Sequence, residues 1–117
     1  MFEWKDSIIA SGERKVMPIM TYPGLDILGK TVLDMATDGE VQYKCLKVLS
    51  DRYPSVASTT LMMALYIEAE AFGSEIAYYQ DEIPTVSKRL IASFETLEDL
   101  KIPEVGQGIT SEHLKAS

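Results

Sequence analysis

Thr59-Thr60-Leu61-Met62-Met63-Ala64-Leu65-Tyr66 runs straight into Ile67-Glu68-Ala69-Glu70-Ala71-Phe72-Gly73, and the change of pattern between the two halves sets the fold class. The first half shows no alternation of apolar and polar residues. A continuous apolar run opened by β-branched threonines suits a strand buried on both faces, as in a parallel sheet. The second half, Ile67 to Phe72, reads as a short helix. Gly73 is its stop, because glycine enters the left-handed region without steric penalty. A strand feeding a helix in this way is half of a βαβ unit.

Upstream lies the other half. Val41, Cys45, Val48 and Leu49 fall at i, i+4, i+7 and i+8, while Lys44, Lys47 and Asp51 point elsewhere. That spacing predicts an amphipathic helix of about four turns. It ends at Tyr53-Pro54, since the residue before proline disfavours helical geometry. Thr31 with Asp34 three residues on is a helix N-cap box for a segment 31–36, and Thr37 with Glu40 repeats it. Before these, Val16-Met17-Pro18-Ile19-Met20 is a run of strand length, punctuated by the turn signal Tyr22-Pro23-Gly24. The reading is therefore two parallel strands joined by a long helix. Downstream, Glu75 to Tyr79 is a further strand, and Gln80-Asp81-Glu82 turns the chain into Pro84-Thr85-Val86, a small strand pair near 75–87. Thr96 with Asp99 opens a last short helix that stops before Pro103, and the tail beyond Val105 is weakly patterned.

Bulk properties exclude several function classes. The chain has 117 residues, enough for one domain or part of one. Lysine and arginine number 11 against 18 acidic residues, a net charge of −7, and no basic run occurs, so nucleic acid is excluded as a main partner. No stretch approaches the roughly 20 apolar residues of a membrane span. Met1-Phe2-Glu3-Trp4-Lys5-Asp6 carries acids where a secretory leader carries basic residues, and a cytoplasmic location is expected.

The tempting residues have plain readings. The single cysteine, Cys45, sits on the apolar stripe and is expected as a small buried hydrophobe. His113 is expected as a solvated tail residue; one histidine and one cysteine without neighbouring ligands make no metal site. Glu68 and Glu70 stand two apart on a helix and do not share a face, which argues against paired acid–base work. Asp81-Glu82 reads as a solvated turn, and Met62 and Met63 as strand core. Tyr22, a strand-end tyrosine before Pro-Gly, is the best pocket-lining candidate.

Taken together, Tyr53-Pro54, the run from Met62 to Ile76 containing Glu-Ala-Glu-Ala-Phe-Gly, and Asp81-Glu82-Ile83-Pro84-Thr85-Val86 resemble the uroporphyrinogen decarboxylase superfamily. The likeness is closest to its branch of methylcobalamin:coenzyme M and other corrinoid methyltransferases, and runs over about residues 14–105. Pro18 to Gly24, ending Thr-Tyr-Pro-Gly, and the acidic, leucine-containing segment before Ile102-Pro103 are similar as well. The resemblance implies an α/β fold, a (β/α)₈ (TIM) barrel of which residues 1–117 form a single partial domain, the N-terminal third. It implies chemistry at the C-terminal ends of the strands. Those ends are Thr21 and Tyr22 after the first strand and Met63 and Ala64 after the second, the four substrate-pocket candidates.

Departures from the family narrow the expectation. Decarboxylases of the family carry an arginine-rich segment after the first strand, where this chain has Tyr-Pro-Gly-Leu-Asp. They place an essential aspartate at the end of the second strand, where alignment gives Ala64. Alanine cannot face pyrrole nitrogens with a charge, so porphyrinogen decarboxylation is disfavoured. The methyltransferases use zinc to bind and deprotonate the acceptor thiol. Their histidine and cysteine ligands would lie beyond this chain, and neither Cys45 nor His113 replaces them. The expectation is a fragment, inactive alone, of an enzyme moving a methyl group between a corrinoid and a thiol. Zinc and corrinoid are implied for the full-length family, with no cofactor or metal in this chain. Its partners would be the missing remainder of the barrel or further copies of itself, and a corrinoid protein. The alternatives are a short non-catalytic oligomerisation protein of the same stock, or a relative acting on a tetrapyrrole by decarboxylation.

Overall fold

The computed structural model describes residues 3–14, 16, 21–53 and 65–116. The principal strands expected at 16–20 and 59–63 lie outside these residues, apart from Val16, which is exposed. Described in chain order are α1 (Glu3–Ala10), α2 (Pro23–Leu28), α3 (Val32–Thr37), α4 (Gly39–Arg52), α5 (Leu65–Ala71), β1 (Glu75–Ala77), β2 (Thr85–Lys88), α6 (Phe94–Leu97) and α7 (Thr110–Ala116).

Local chemistry accounts for most of these boundaries. Thr31 and Asp34 form the expected box: the Thr31 hydroxyl accepts from Asp34 N at 3.1 Å, and the Asp34 carboxylate accepts from Thr31 N at 2.9 Å. That backbone donor is the main reason the Asp34 carboxyl is held below its ordinary range. At the next start Asp38, not Thr37, caps α4, its carboxylate accepting from Glu40 N at 2.8 Å and Val41 N at 3.4 Å. A carboxylate meets the positive end of the helix better than a hydroxyl does. Thr37 instead donates its hydroxyl to the Leu33 carbonyl at the end of α3. Tyr22-Pro23-Gly24 begins α2 and does not turn the chain away, with Pro23 in the first turn where it gives up no helical bond.

Leu65 and Tyr66, the end of the apolar run read as a strand, form the first turn of α5. The stop is as expected: Gly73 lies at φ 102°, and the amides of Gly73 and Ser74 close back on the Glu70 and Ala69 carbonyls. The expected strand pair is an antiparallel hairpin, Ile76 opposite Val86 and Ala77 opposite Thr85, with a bulge beside Glu75. Helix α6 starts at Ser93, where the Thr96 hydroxyl accepts from Ser93 N and donates to Ser93 O. Thr96 therefore bonds back from within the first turn and does not open the helix.

The core has two parts joined by α3. Leu25, Met35, Val41 and Cys45 pack together beneath Tyr22, Leu28 and Val32, tying α2 and α3 to α4. Ala36, the neighbour of Met35, belongs to the second part with Tyr66 and Ile67, flanked by Ile76 and Ile109. Each fully buried Leu or Ile contributes about 1.5–3 kcal/mol relative to exposure. Gly24 decides how closely α2 can approach: a methyl at this position would lie 2.8 Å from the Cys45 carbonyl oxygen.

The tail read as weakly patterned carries a helix, α7. Helix α7 packs along α4 and touches α5. It is fixed by the Glu112 carboxylate, which accepts from Gly39 N at 3.0 Å and pairs with Lys115. The preceding loop is held by Glu70, which accepts from Ile109 N at 3.0 Å.

Candidate functional site

Of the four pocket candidates, Met63 and Ala64 lie outside the described residues. Thr21 and Tyr22 sit at the start of α2, where their carbonyls accept from Gly24 N at 3.1 Å and Leu25 N at 2.9 Å. Thr21 is 5% exposed. Tyr22 is half-buried against the Leu25–Cys45 cluster, and burial raises its phenol above the ordinary value.

The structure brings a second tyrosine close to Tyr22. Tyr66, 6% exposed on α5, donates its hydroxyl to the Ala36 carbonyl at 3.3 Å. Its phenol is pushed well above the usual tyrosine range by burial first, then by the charges that Tyr78 and Tyr22 would carry if ionised. Tyr78 meets the Tyr66 ring edge-on, centroids 6.0 Å apart at 80°. Burial raises its phenol too, with the neighbouring Glu70 adding to the effect. Tyr66 and Tyr78 are in ring contact between α5 and the hairpin, and Tyr22 lies within electrostatic reach of Tyr66. At neutral pH they are uncharged, able to donate hydrogen bonds and stack, with no basic group among them.

Of these tyrosines, Tyr66 also lines an apolar groove of about 340 Å³, together with Leu65, Ile83, Pro84, Thr85 and Val86. Sequence reasoning placed Tyr66 inside a strand and gave Tyr78 no role. The spacing of Tyr66 from Ala69-Glu70 fits a helix beginning one turn earlier, which would have moved Tyr66 onto α5; no sequence signal pairs it with Tyr78.

Other expected residues have clear positions. Cys45 is wholly buried in the stripe it was read on, and burial pushes its thiol up, away from reactivity. His113 is not a solvated tail residue. It lies on α7 with its Nε2 sealed from solvent, and desolvation lowers its pKa while Glu68 pulls it back up. Asp81 and Glu82 are exposed in a bend, as read. Glu68 and Glu70 diverge: Glu68 is exposed, and Glu70 holds the loop before α7. Gln42 went unnoticed in the sequence; it is 1% exposed, its Nε2 donating to Met35 O at 2.8 Å while its Oε1 meets no donor among the described residues.

No three His, Cys, Asp or Glu side chains converge on a metal-sized site among the described residues. No described helix is long and apolar enough to cross a membrane. Compared with protein-family models, curated proteins and solved structures, the chain matches none.

Proposed function

We propose that this chain is the N-terminal portion of a barrel enzyme of the uroporphyrinogen decarboxylase superfamily, in its corrinoid methyltransferase branch. In that reading the whole enzyme moves a methyl group between a corrinoid and a thiol. Residues 1–117 supply scaffold and one pocket wall, and zinc and corrinoid are held by other parts of the enzyme or by a corrinoid protein. The observation that supports this is the order of elements: a long helix α4 between the two apolar runs, a short helix α5 stopped at Gly73, then a hairpin whose two strands are joined through an acidic bend. The same residues carry the sequence resemblance. Tyr22, Tyr66 and Tyr78 suit the wall role, because neutral phenols hold and orient an apolar or polar ligand without titrating against it.

The test begins with the gene. A reading frame continuing to a barrel of about 250 residues or more, with a histidine and paired cysteines, supports the reading. The corresponding protein, loaded with zinc, should demethylate methylcobalamin when given a thiol such as coenzyme M, followed by the cobalamin spectrum. A natural product of 13.0 kDa, or a full-length protein inert in that assay, would overturn it.

A second reading is a short, non-catalytic chain of the same stock that acts by self-association. Its support is the shape: the principal extents are 53 × 35 × 20 Å, with Phe94, Ile102 and Val105 almost fully exposed.

A further inference from the structure

We propose that two copies of this chain exchange their C-terminal arms, residues 104–116, so that α7 of each docks on α4 and α5 of the other while the connecting segments 89–103 pack together at the two-fold axis. This rests on the self-association reading and uses nothing of the methyl-transfer reading.

The arm is a docked unit. Three hydrogen bonds join it to α4 and α5: Gly39 N donates to the Glu112 carboxylate at 3.0 Å, Ile109 N to the Glu70 carboxylate at 3.0 Å, and the Gln107 amide to the Ala71 carbonyl at 3.2 Å. Ile109 packs against the Ala36–Tyr66–Ile67 cluster, and Ala116 is buried. Gly39 and Gly108 lie so close to Glu112 and Glu70 that neither position has room for a side chain. The fit is specific to this arm. It is the same fit whichever copy supplies the arm.

The segment before the arm has no such ties. All of residues 89–103 are exposed except Leu100 and Pro103, which are half-buried. Its hydrogen bonds stay inside it among the described residues: Ala92 N and Ser93 N donate to the Thr96 hydroxyl, that hydroxyl donates to Ser93 O, and Leu100 N donates to Leu97 O. Connectors are ordinarily polar. This one carries Leu90, Ile91, Phe94, Leu97 and Ile102, with Phe94 and Ile102 each 88% exposed.

Exchange accounts for both observations. Domain swapping re-forms between copies the contacts already made within one, so its net gain comes from surfaces that meet only in the dimer. The connector of fifteen residues reaches about 50 Å when extended, beyond the 35 Å middle extent of the molecule, so the arm can reach a neighbour's α4. In a symmetric exchange both connectors cross between the two bodies and run antiparallel past the axis. The same apolar side chains then face each other and leave water together. Within one copy, the connector holds the arm at a high effective concentration over its own site. The closed monomer therefore wins unless the connectors pair.

The test mixes unlabelled and isotope-labelled wild-type chains in urea, refolds them together, and measures mass by sedimentation and native mass spectrometry. The species expected at micromolar concentration has twice the mass of the 13.0 kDa chain. A zero-length cross-linker then joins Lys115, which lies beside Gly39, to Asp38 or Glu40 on either side of that glycine. About half of the cross-linked peptides should join a labelled to an unlabelled chain, the share that random pairing gives when every arm docks on its partner. Phe94→Gln with Ile102→Gln should keep the circular dichroism of wild type, associate at least about tenfold more weakly, and give cross-links within one isotope only. A wild-type dimer whose cross-links all stay within one isotope overturns the exchange and leaves self-association standing. A monomeric wild type overturns both. A variant that folds and dimerises as tightly as wild type overturns the pairing of the connectors, and the proposal with it. Should the variant not fold, the isotope distribution in wild type decides alone. None of these outcomes bears on the cobalamin assay.

Discussion

Replacing Gly24 by alanine tests the α2–α4 crossing on which the larger part of the core depends. The added methyl would fall 2.8 Å from the Cys45 carbonyl oxygen, 3.0 Å from its Cα and 3.1 Å from its Cβ. Two of those three atoms are backbone in the middle of a helix, so no side-chain rotation relieves the overlap. Helix α2 must move outward by several tenths of an ångström, loosening Leu25 from Met35, Val41 and Cys45. Overpacking of this kind costs about 1–3 kcal/mol. Alanine returns part of that through lower entropy in the unfolded chain, about 0.4–1 kcal/mol. The net expectation is destabilisation by roughly 1–2 kcal/mol, which lowers Tm by about 4–8 °C per kcal/mol in a domain near this size. Urea unfolding followed by circular dichroism should show a lower midpoint at unchanged slope. An alanine variant as stable as wild type, or more stable, would mean that α2 does not cross α4 at Gly24.

Other outcomes follow from buried groups. Gln42→Glu should destabilise the fold by about 3 kcal/mol or more at neutral pH, since a carboxylate there is desolvated and faces the Met35 carbonyl. The loss should shrink in urea melts as pH falls and the carboxyl takes a proton; equal losses at pH 5 and pH 8 would contradict the burial of that site. Cys45 should resist a thiol reagent under native conditions and react only as fast as the chain opens, with urea accelerating the reaction; immediate labelling would refute its burial. His113 has a folded pKa below its ordinary 6.5. Its contribution to stability is therefore full above pH 6.5, and is lost as pH falls from there through the folded value. Hydrogen exchange should show α7 losing protection over that window, and His113→Phe should remove the step. A profile unchanged by that substitution would assign the acid sensitivity elsewhere.

The features legible in the sequence are those whose causes are local. Thr31 and Asp34 satisfy each other within one turn, and Gly73 ends α5 through its own backbone, so both could be read from residue type and spacing. The stripe of α4 was equally plain, with Cys45 on it. Pro23 misled because a fixed φ serves a turn and the first turn of a helix alike. Helix α7 was missed because its burial is tertiary: Thr110 to Ala116 carries few apolar residues, and its position is set by Gly39 and Glu70 far back in the chain. Tyr66 and Tyr78 escaped for the same reason. Nothing near either residue announces that α5 and the hairpin would bring their rings together.

The bond from Gly39 N to the Glu112 carboxylate spans 73 positions of sequence. Closing a loop of that length opposes folding by about 4 kcal/mol of chain entropy before any contact is gained. During synthesis, α4 must wait with its α7-facing side open to water until residue 112 has left the ribosome. A nascent chain in that state presents a sticky amphipathic helix to its neighbours. Chaperone demand during translation should therefore fall when α7 emerges, and slowing translation just before residue 110 should raise the aggregated fraction without altering the finished protein.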